Sequence, residues 1–331
     1  MKKIILGVHG LGNKPPKKLL EKWWRRSIIE GLQRIGRPHL NFDFKLIYWA
    51  DFLHTTPLDP DETDEDSDLY IEERYKPAVS IKKQKQKSFK ERFLNFFKKQ
   101  RDKILFNESM HLKFPSLTDL IIKKFFRDLD IYFSKHSDEE TEANHFAKDL
   151  INKKLIDTLS QYQERDILII AHSMGSIIMY DTLMRVGNDF DVGTVVTVGS
   201  PLGVPFILQK LKADLSSVVT DVKNLYTPDC ISREWINLAD IDDKLAQSAD
   251  LGKMFKPNKK GVKPNMLMVD NDYENNGIEN PHKSYGYLRA YELSFIIDEF
   301  LCRDEIKFFK WLSKKFNQVR LKLTGSLRRE D

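Results

Sequence analysis

The chain has 331 residues, 41% of them hydrophobic, enough apolar material to bury a sizeable core in one large domain. A net charge of +5 is a small excess in a chain that is 31% charged, so bulk electrostatics give no reason to expect a nucleic-acid partner. Two cysteines, Cys230 and Cys302, exclude a disulfide framework; with no metal-ligand spacing around them, they read as buried small apolar residues in a reducing compartment.

Lys3 to Val8 is a short, β-branched apolar run that predicts a buried strand, delivering the loop His9-Gly10-Leu11-Gly12. Its apolar stretch ends at His9 after five residues, too short for the core of a secretory signal. No window of 18 consecutive apolar residues follows anywhere, so a soluble, cytoplasmic protein is expected. Leu19, Leu20, Trp23, Trp24, Ile28, Ile29 and Leu32 recur at helical spacing and predict a helix over 18–35, and Phe42 to Trp49 reads as a second strand.

The pattern then changes. Seven of the ten residues from Asp59 to Asp68 are acidic, which predicts a solvated loop. From Lys82 to Lys103, ten lysines and arginines face only Glu91 and Asp102, a net of +8. Phe89, Phe93 and Phe97 interleave with them every four residues, on one face of a predicted helix. Residues from about 54 to 138 thus form an insertion in a single domain spanning 1–331. In it, 82–105 and 120–133 suit either a lid resting on an anionic membrane surface or an aromatic stripe packed on the core. Neither stretch carries a nucleic-acid motif, and no such partner is expected.

Regular alternation resumes with a predicted helix over 142–162, an uninterrupted apolar strand from Asp166 to Ala171, and a helix from Ser176 to Arg185. Strands follow at 193–198, 234–238 and 266–269, and a helical tail runs from Tyr287 to Phe316. Strand–helix alternation of this kind predicts an α/β fold with a mostly parallel, doubly wound sheet.

Between the apolar strand and the apolar helix stands Ala171-His172-Ser173-Met174-Gly175. Small residues on both sides of a serine let it occupy a tight strand-to-helix turn, as in the Gly-x-Ser-x-Gly elbow of α/β-hydrolases; here alanine replaces the first glycine. Ser173 at a helix N-terminus would meet free N–H groups and a favourable dipole for an oxyanion. Met174 N–H is one expected donor, and Leu11 N–H, in the loop opened by His9 and Gly10, is the second. A serine hydroxyl needs a base, and in that fold the chain order is serine, acid, histidine. His282 is the one histidine after Ser173, which makes it the candidate base. For the acid, Asp240, Asp242 and Asp243 compete in one segment.

These residues resemble lipase and esterase members of the α/β-hydrolase superfamily. Residues 169–181 are similar to the elbow and helix of intracellular DDHD-type phospholipases and bacterial lipase-like hydrolases, and Gly199-Ser200-Pro201-Leu202 resembles a segment after their next strand. Their acid segment runs Trp-x-Asn-x-x-Asp-x-x-Asp-Pro-Val-Ala. Trp235, Asn237, Asp240, Asp243 and Ala246 match it, whereas Lys244 and Leu245 replace the usual Pro and Val. His282-Lys283-Ser284-Tyr285 is similar to their histidine loop. The resemblance covers 1–50 and about 142–300. It implies an α/β-hydrolase fold and carboxylic ester hydrolysis on a small-molecule ester or lipid by Ser173, Asp243 and His282, with Asp240 the alternative acid. A metal site sometimes linked to the DDHD pattern does not carry over, because its fourth residue is not identifiable here; no metal and no cofactor are expected. Thioester cleavage or acyl transfer with the same residues, and a non-catalytic lipid-surface adaptor on the same scaffold, are the alternatives.

Overall fold

The computed structural model describes residues 1–78, 127–133, 142–216, 224–246 and 250–304. Its centre is a six-stranded, wholly parallel sheet of β1 (Lys3–Val8), β2 (Phe44–Ile47), β3 (Asp166–His172), β4 (Val192–Val198), β5 (Ile231–Asp240) and β6 (Pro264–Val269), in the order β2-β1-β3-β4-β5-β6. Helices α1 (Lys17–Arg34), α2 (Glu142–Gln161), α3 (Met174–Val186), α4 (Pro205–Leu215) and α5 (Ser284–Leu288) connect and flank it. The architecture is α/β.

The apolar runs form strands because both faces of the sheet are covered. Side chains alternate along a strand, so neighbours enter different cores. Ile167, Ile169 and Ala171 of β3 join Ile4, Leu6 and Val8 of β1 in a core closed by α2, α3 and α4. Leu168 and Ile170 instead join Ile5 and the α1 residues Trp24, Ile28 and Leu32 in a second core, closed also by α5 and Leu293, Ile297 and Phe300. Burying each large apolar side chain contributes about 1.5–3 kcal/mol, so a charge at any one of these β3 positions would destabilise the core that the position faces.

Two boundaries differ from the pattern-based reading. The helix expected from Ser176 begins at Met174, directly after Ser173; Gly175, in its first turn, packs where any Cβ would lie 2.4 Å from the His9 carbonyl oxygen. The tail expected as one helix from Tyr287 to Phe316 is broken: α5 ends at Leu288, and a separate helix covers 291–304. Buried Arg289 occupies the break, where its guanidinium meets Asp272 at 2.6 Å and Glu30 at 3.2 Å. Helix α4 is not among the elements expected from the sequence, although its buried Ile207, Leu211 and Leu215 stand four residues apart.

Of the insertion, 54–78 runs as irregular backbone and 127–133 is helical. The basic, Phe-bearing stretch at 82–105 lies outside the described residues. Among the described residues, no helix is long and apolar enough to cross a membrane.

Candidate active site

Because every strand of the sheet is parallel, their carboxyl ends share one edge, the place where open α/β sheets bind ligands. His9 follows β1, Ser173 follows β3, Gly199 follows β4, and Asp243 lies three residues beyond β5. The loop 280–283, after β6, brings His282 to the same edge.

Ser173 holds φ 50 and ψ −127, one of two non-glycine residues with positive φ among the described residues. Such a conformation costs on the order of 1–3 kcal/mol and persists only where the surroundings enforce it. Here they do. Ser173 N–H donates to the Val198 carbonyl at 3.1 Å, which ties it to the end of β4. Ser176 Oγ donates to the Ser173 carbonyl at 2.6 Å and accepts from Ser200 Oγ at 2.7 Å, so the Gly199-Ser200-Pro201 segment braces the same turn. The side chain is thereby turned out of both the strand and the helix.

Ser173 Oγ lies 2.9 Å from His282 Nε2, and His282 Nδ1 lies 2.9 and 3.0 Å from the Asp243 carboxylate oxygens. A carboxylate only accepts, so the imidazole proton sits on Nδ1 and Nε2 is left to accept from the serine hydroxyl. Asp243 is buried and further held by the backbone N–H of Leu245 and Ala246 at 3.1 and 3.3 Å. Tyr287 completes its shell: the phenol donates to Asp243 Oδ2 at 2.7 Å and accepts from Asp240 N–H at 2.9 Å. Burial, and then the adjacent Asp243, push the Tyr287 phenol far above its ordinary value, so it stays a donor.

The three competing aspartates separate by what their side chains meet. The carboxylate of Asp240 is consumed by the backbone N–H groups of Asp242 and Asn271, at 2.7 and 2.6 Å, and burial raises it to about 6. Asp242 is exposed. Only Asp243 meets the imidazole.

His282 owes its position to its backbone. Asn271 Nδ2 donates to the Pro281 and Lys283 carbonyls, both at 2.8 Å, and His172 Nε2 donates to the His282 carbonyl at 2.7 Å. Burial, and then neighbouring His282, push His172 well below its ordinary value, which keeps it a neutral clamp. Gly199, at φ +56, is required to be small: a Cβ would approach Tyr287, Asp243 and His282 to within 3.0–3.3 Å.

On the other side of Ser173, a Cβ on Gly10 would lie 3.0 Å from the serine Cβ, so the loop after β1 passes close by. His9 organises it. Its Nε2 accepts from Trp49 N–H at 3.0 Å and Ala50 N–H at 3.3 Å, which leaves the proton on Nδ1 to donate to the Gly10 carbonyl at 2.8 Å. Stacking on Trp49 at 4.7 Å fixes the ring plane, and burial holds His9 well below the ordinary histidine value. In a trans peptide the carbonyl and the next N–H point in opposite directions, so Leu11 N–H faces away from His9. Met174 N–H is in the first turn of α3, where no intrahelical partner exists.

The serine opens onto a cavity of about 910 Å³. Apolar lining comes from Leu20, Trp24, Ile71 and Tyr285; the acidic loop supplies Asp66 and Asp68. The acidic stretch is therefore a wall of the cleft as well as a solvated loop. Tyr287, His172 and Asn271 carried no signal in the sequence, since each acts through a contact distant in the chain. Among the described residues, no group of three or more His, Cys, Asp or Glu is arranged to hold a metal ion. No family model, curated protein or solved structure matches the chain.

Proposed function

We propose that this chain is a serine hydrolase of the α/β-hydrolase type that cleaves a carboxylic ester, working as a soluble, cytoplasmic enzyme. The observation that carries the reading is the continuous chain from Asp243 through His282 to Ser173 Oγ, each link 2.9–3.0 Å, ending on a serine held at positive φ.

In this reading Ser173 Oγ attacks the ester carbonyl carbon while His282 Nε2 takes its proton. Asp243 holds the imidazole in the required tautomer and stabilises the cation that forms. The carbonyl oxygen becomes an oxyanion facing the N–H groups of Leu11 and Met174, and the α3 dipole favours it. His282 returns the proton to the departing alcohol, leaving an acyl group on Ser173, and a water repeats the sequence to release the acid. The apolar part of the cavity suits an acyl chain, which makes a lipid or other apolar ester the expected substrate class.

The test is labelling with a fluorophosphonate probe, followed by turnover of ester, phospholipid and thioester panels. Wild type is expected to label at Ser173 and Ser173→Ala to lose both labelling and turnover, by a factor of about 10⁴ or more. Equal behaviour of the two proteins would reject an enzyme and favour a lipid-surface adaptor. The panel separates esters from thioesters, and acyl transfer appears as product formed with an added alcohol.

A further inference from the structure

The loop that passes Ser173 is gripped from two sides by charged groups that belong to neither the strand edge nor the Ser173–His282–Asp243 chain. Lys14 Nζ donates to the Leu11 carbonyl, and to those of Gly12 and Asn13 at 3.1 and 3.3 Å. From far along the chain, buried Asp128 accepts from Gly12 N–H at 2.6 Å. The Leu11 carbonyl and Gly12 N–H are the two ends of one planar peptide unit. An ammonium holds one end and a carboxylate the other, so rotation of that plane is blocked by opposite charges. The preceding plane, Gly10–Leu11, is held by His9 Nδ1 at the Gly10 carbonyl. Both peptide planes flanking Leu11 are thus pinned.

We propose that Lys14 and Asp128 are positioning residues for the Leu11 N–H, fixing it toward the oxygen of a bound acyl group; the inference rests on the hydrolase reading above. Asp128 is itself anchored. In the same segment, 127–133, Tyr132 donates to the buried Asp181 of α3 at 2.8 Å, and Asp130 pairs with Lys210 of α4 at 2.7 Å. The loop geometry next to Ser173 therefore depends on chain contributed by the insertion. An oxyanion donor must be fixed before the charge develops, because a donor that reorients during the reaction loses much of its effect.

The experiment pairs Asp128→Ala with Asp128→Asn and Lys14→Met in the full chain. It reads kcat and KM per Ser173 titrated with fluorophosphonate, the pH profile, and amide hydrogen exchange of the 9–15 peptide. Asp128→Ala and Lys14→Met are expected to lower kcat roughly tenfold to a hundredfold, part of the loss seen when a donor is removed outright. KM should stay within about twofold and the pH midpoint unmoved, since the base is untouched. Asp128→Asn, which keeps an acceptor for Gly12 N–H, should recover most of the rate. Exchange in 9–15 should quicken in Asp128→Ala. Unchanged kcat per titrated site in Asp128→Ala and Lys14→Met would overturn the proposal, as would loss of rate with unaltered exchange. Should Asp128→Ala fail to fold, Lys14→Met carries the same expectation alone. Wild type that never labels at Ser173 would instead overturn the hydrolase reading, whatever the exchange shows.

Discussion

The two sides of the cleft are built differently. On one, Ser173, Gly199 and Asp243 stand at or within three residues of strand ends, and the strands are fixed by parallel ladders and two apolar cores. On the other, 54–73 is irregular backbone, and its acidic residues 65, 66 and 68 are exposed. Geometry that must hold to a few tenths of an ångström is placed on the rigid scaffold, and the surface that meets the variable part of a ligand is placed on loops. Substitutions on the strand edge should therefore alter rate or folding, and those on the wall should alter substrate preference.

The strongest way to break this contrast is Asp243→Asn, which keeps the shape but removes the charge that fixes the His282 tautomer. Turnover should fall by about 10⁴-fold, measured as kcat with an activated ester. Asp240→Asn, three residues away, should cost stability with a far smaller rate loss, because only backbone N–H groups meet its carboxylate. Comparable rate losses in the two would undo the assignment of roles.

Gly175→Ala would press a methyl against the His9 and Val8 carbonyls at 2.4 and 2.6 Å. Since backbone cannot yield as a side-chain tip can, a loss of about 3 kcal/mol is expected, read as a fall in the denaturation midpoint. Tyr287→Phe should lower kcat about tenfold and destabilise by about 1–3 kcal/mol, as it frees one Asp243 oxygen and strands the buried Asp240 N–H. The smallest effect belongs to the wall. Asp66→Asn with Asp68→Asn should leave the melting midpoint nearly unchanged, within about 0.5 kcal/mol per site, and shift only relative KM for cationic against anionic esters. A drop in kcat for all esters alike would show the wall to be part of the rigid machinery.

The same contrast explains what was legible in the sequence. The parallel α/β sheet was visible because runs such as Ile167–Ala171 are apolar throughout, a local signature of burial on both faces. Ser173 stands out by the small residues two positions to either side, Ala171 and Gly175, and His282 by being the one histidine downstream. The acid was not decided by position: Asp240 and Asp243 share one segment, and the difference lies in which backbone N–H groups captured Asp240. Asp128 was illegible, because its partner Gly12 is 116 residues away and nothing in either local stretch encodes the meeting. The break at Arg289 was hidden for a related reason: its partners Glu30 and Asp272 lie on other elements, so the apolar period around it read as one helix.

The strand order has a consequence for how the chain reaches this state. β1 sits between β2 and β3, and its pairing of Lys3 with Asp166 joins residues far apart in the chain. Closing the stretch of about 120 residues between β2 and β3 costs only about 2 kcal/mol more than closing one of about 15, because loop entropy grows logarithmically. The thermodynamic burden of the insertion is small, but its burden in time is not. While the chain is being synthesised, β1 has β2 beside it and a bare apolar edge on the other side until β3 emerges, and non-local parallel pairing forms slowly. That waiting period leaves an unpaired strand edge open to pairing with another chain.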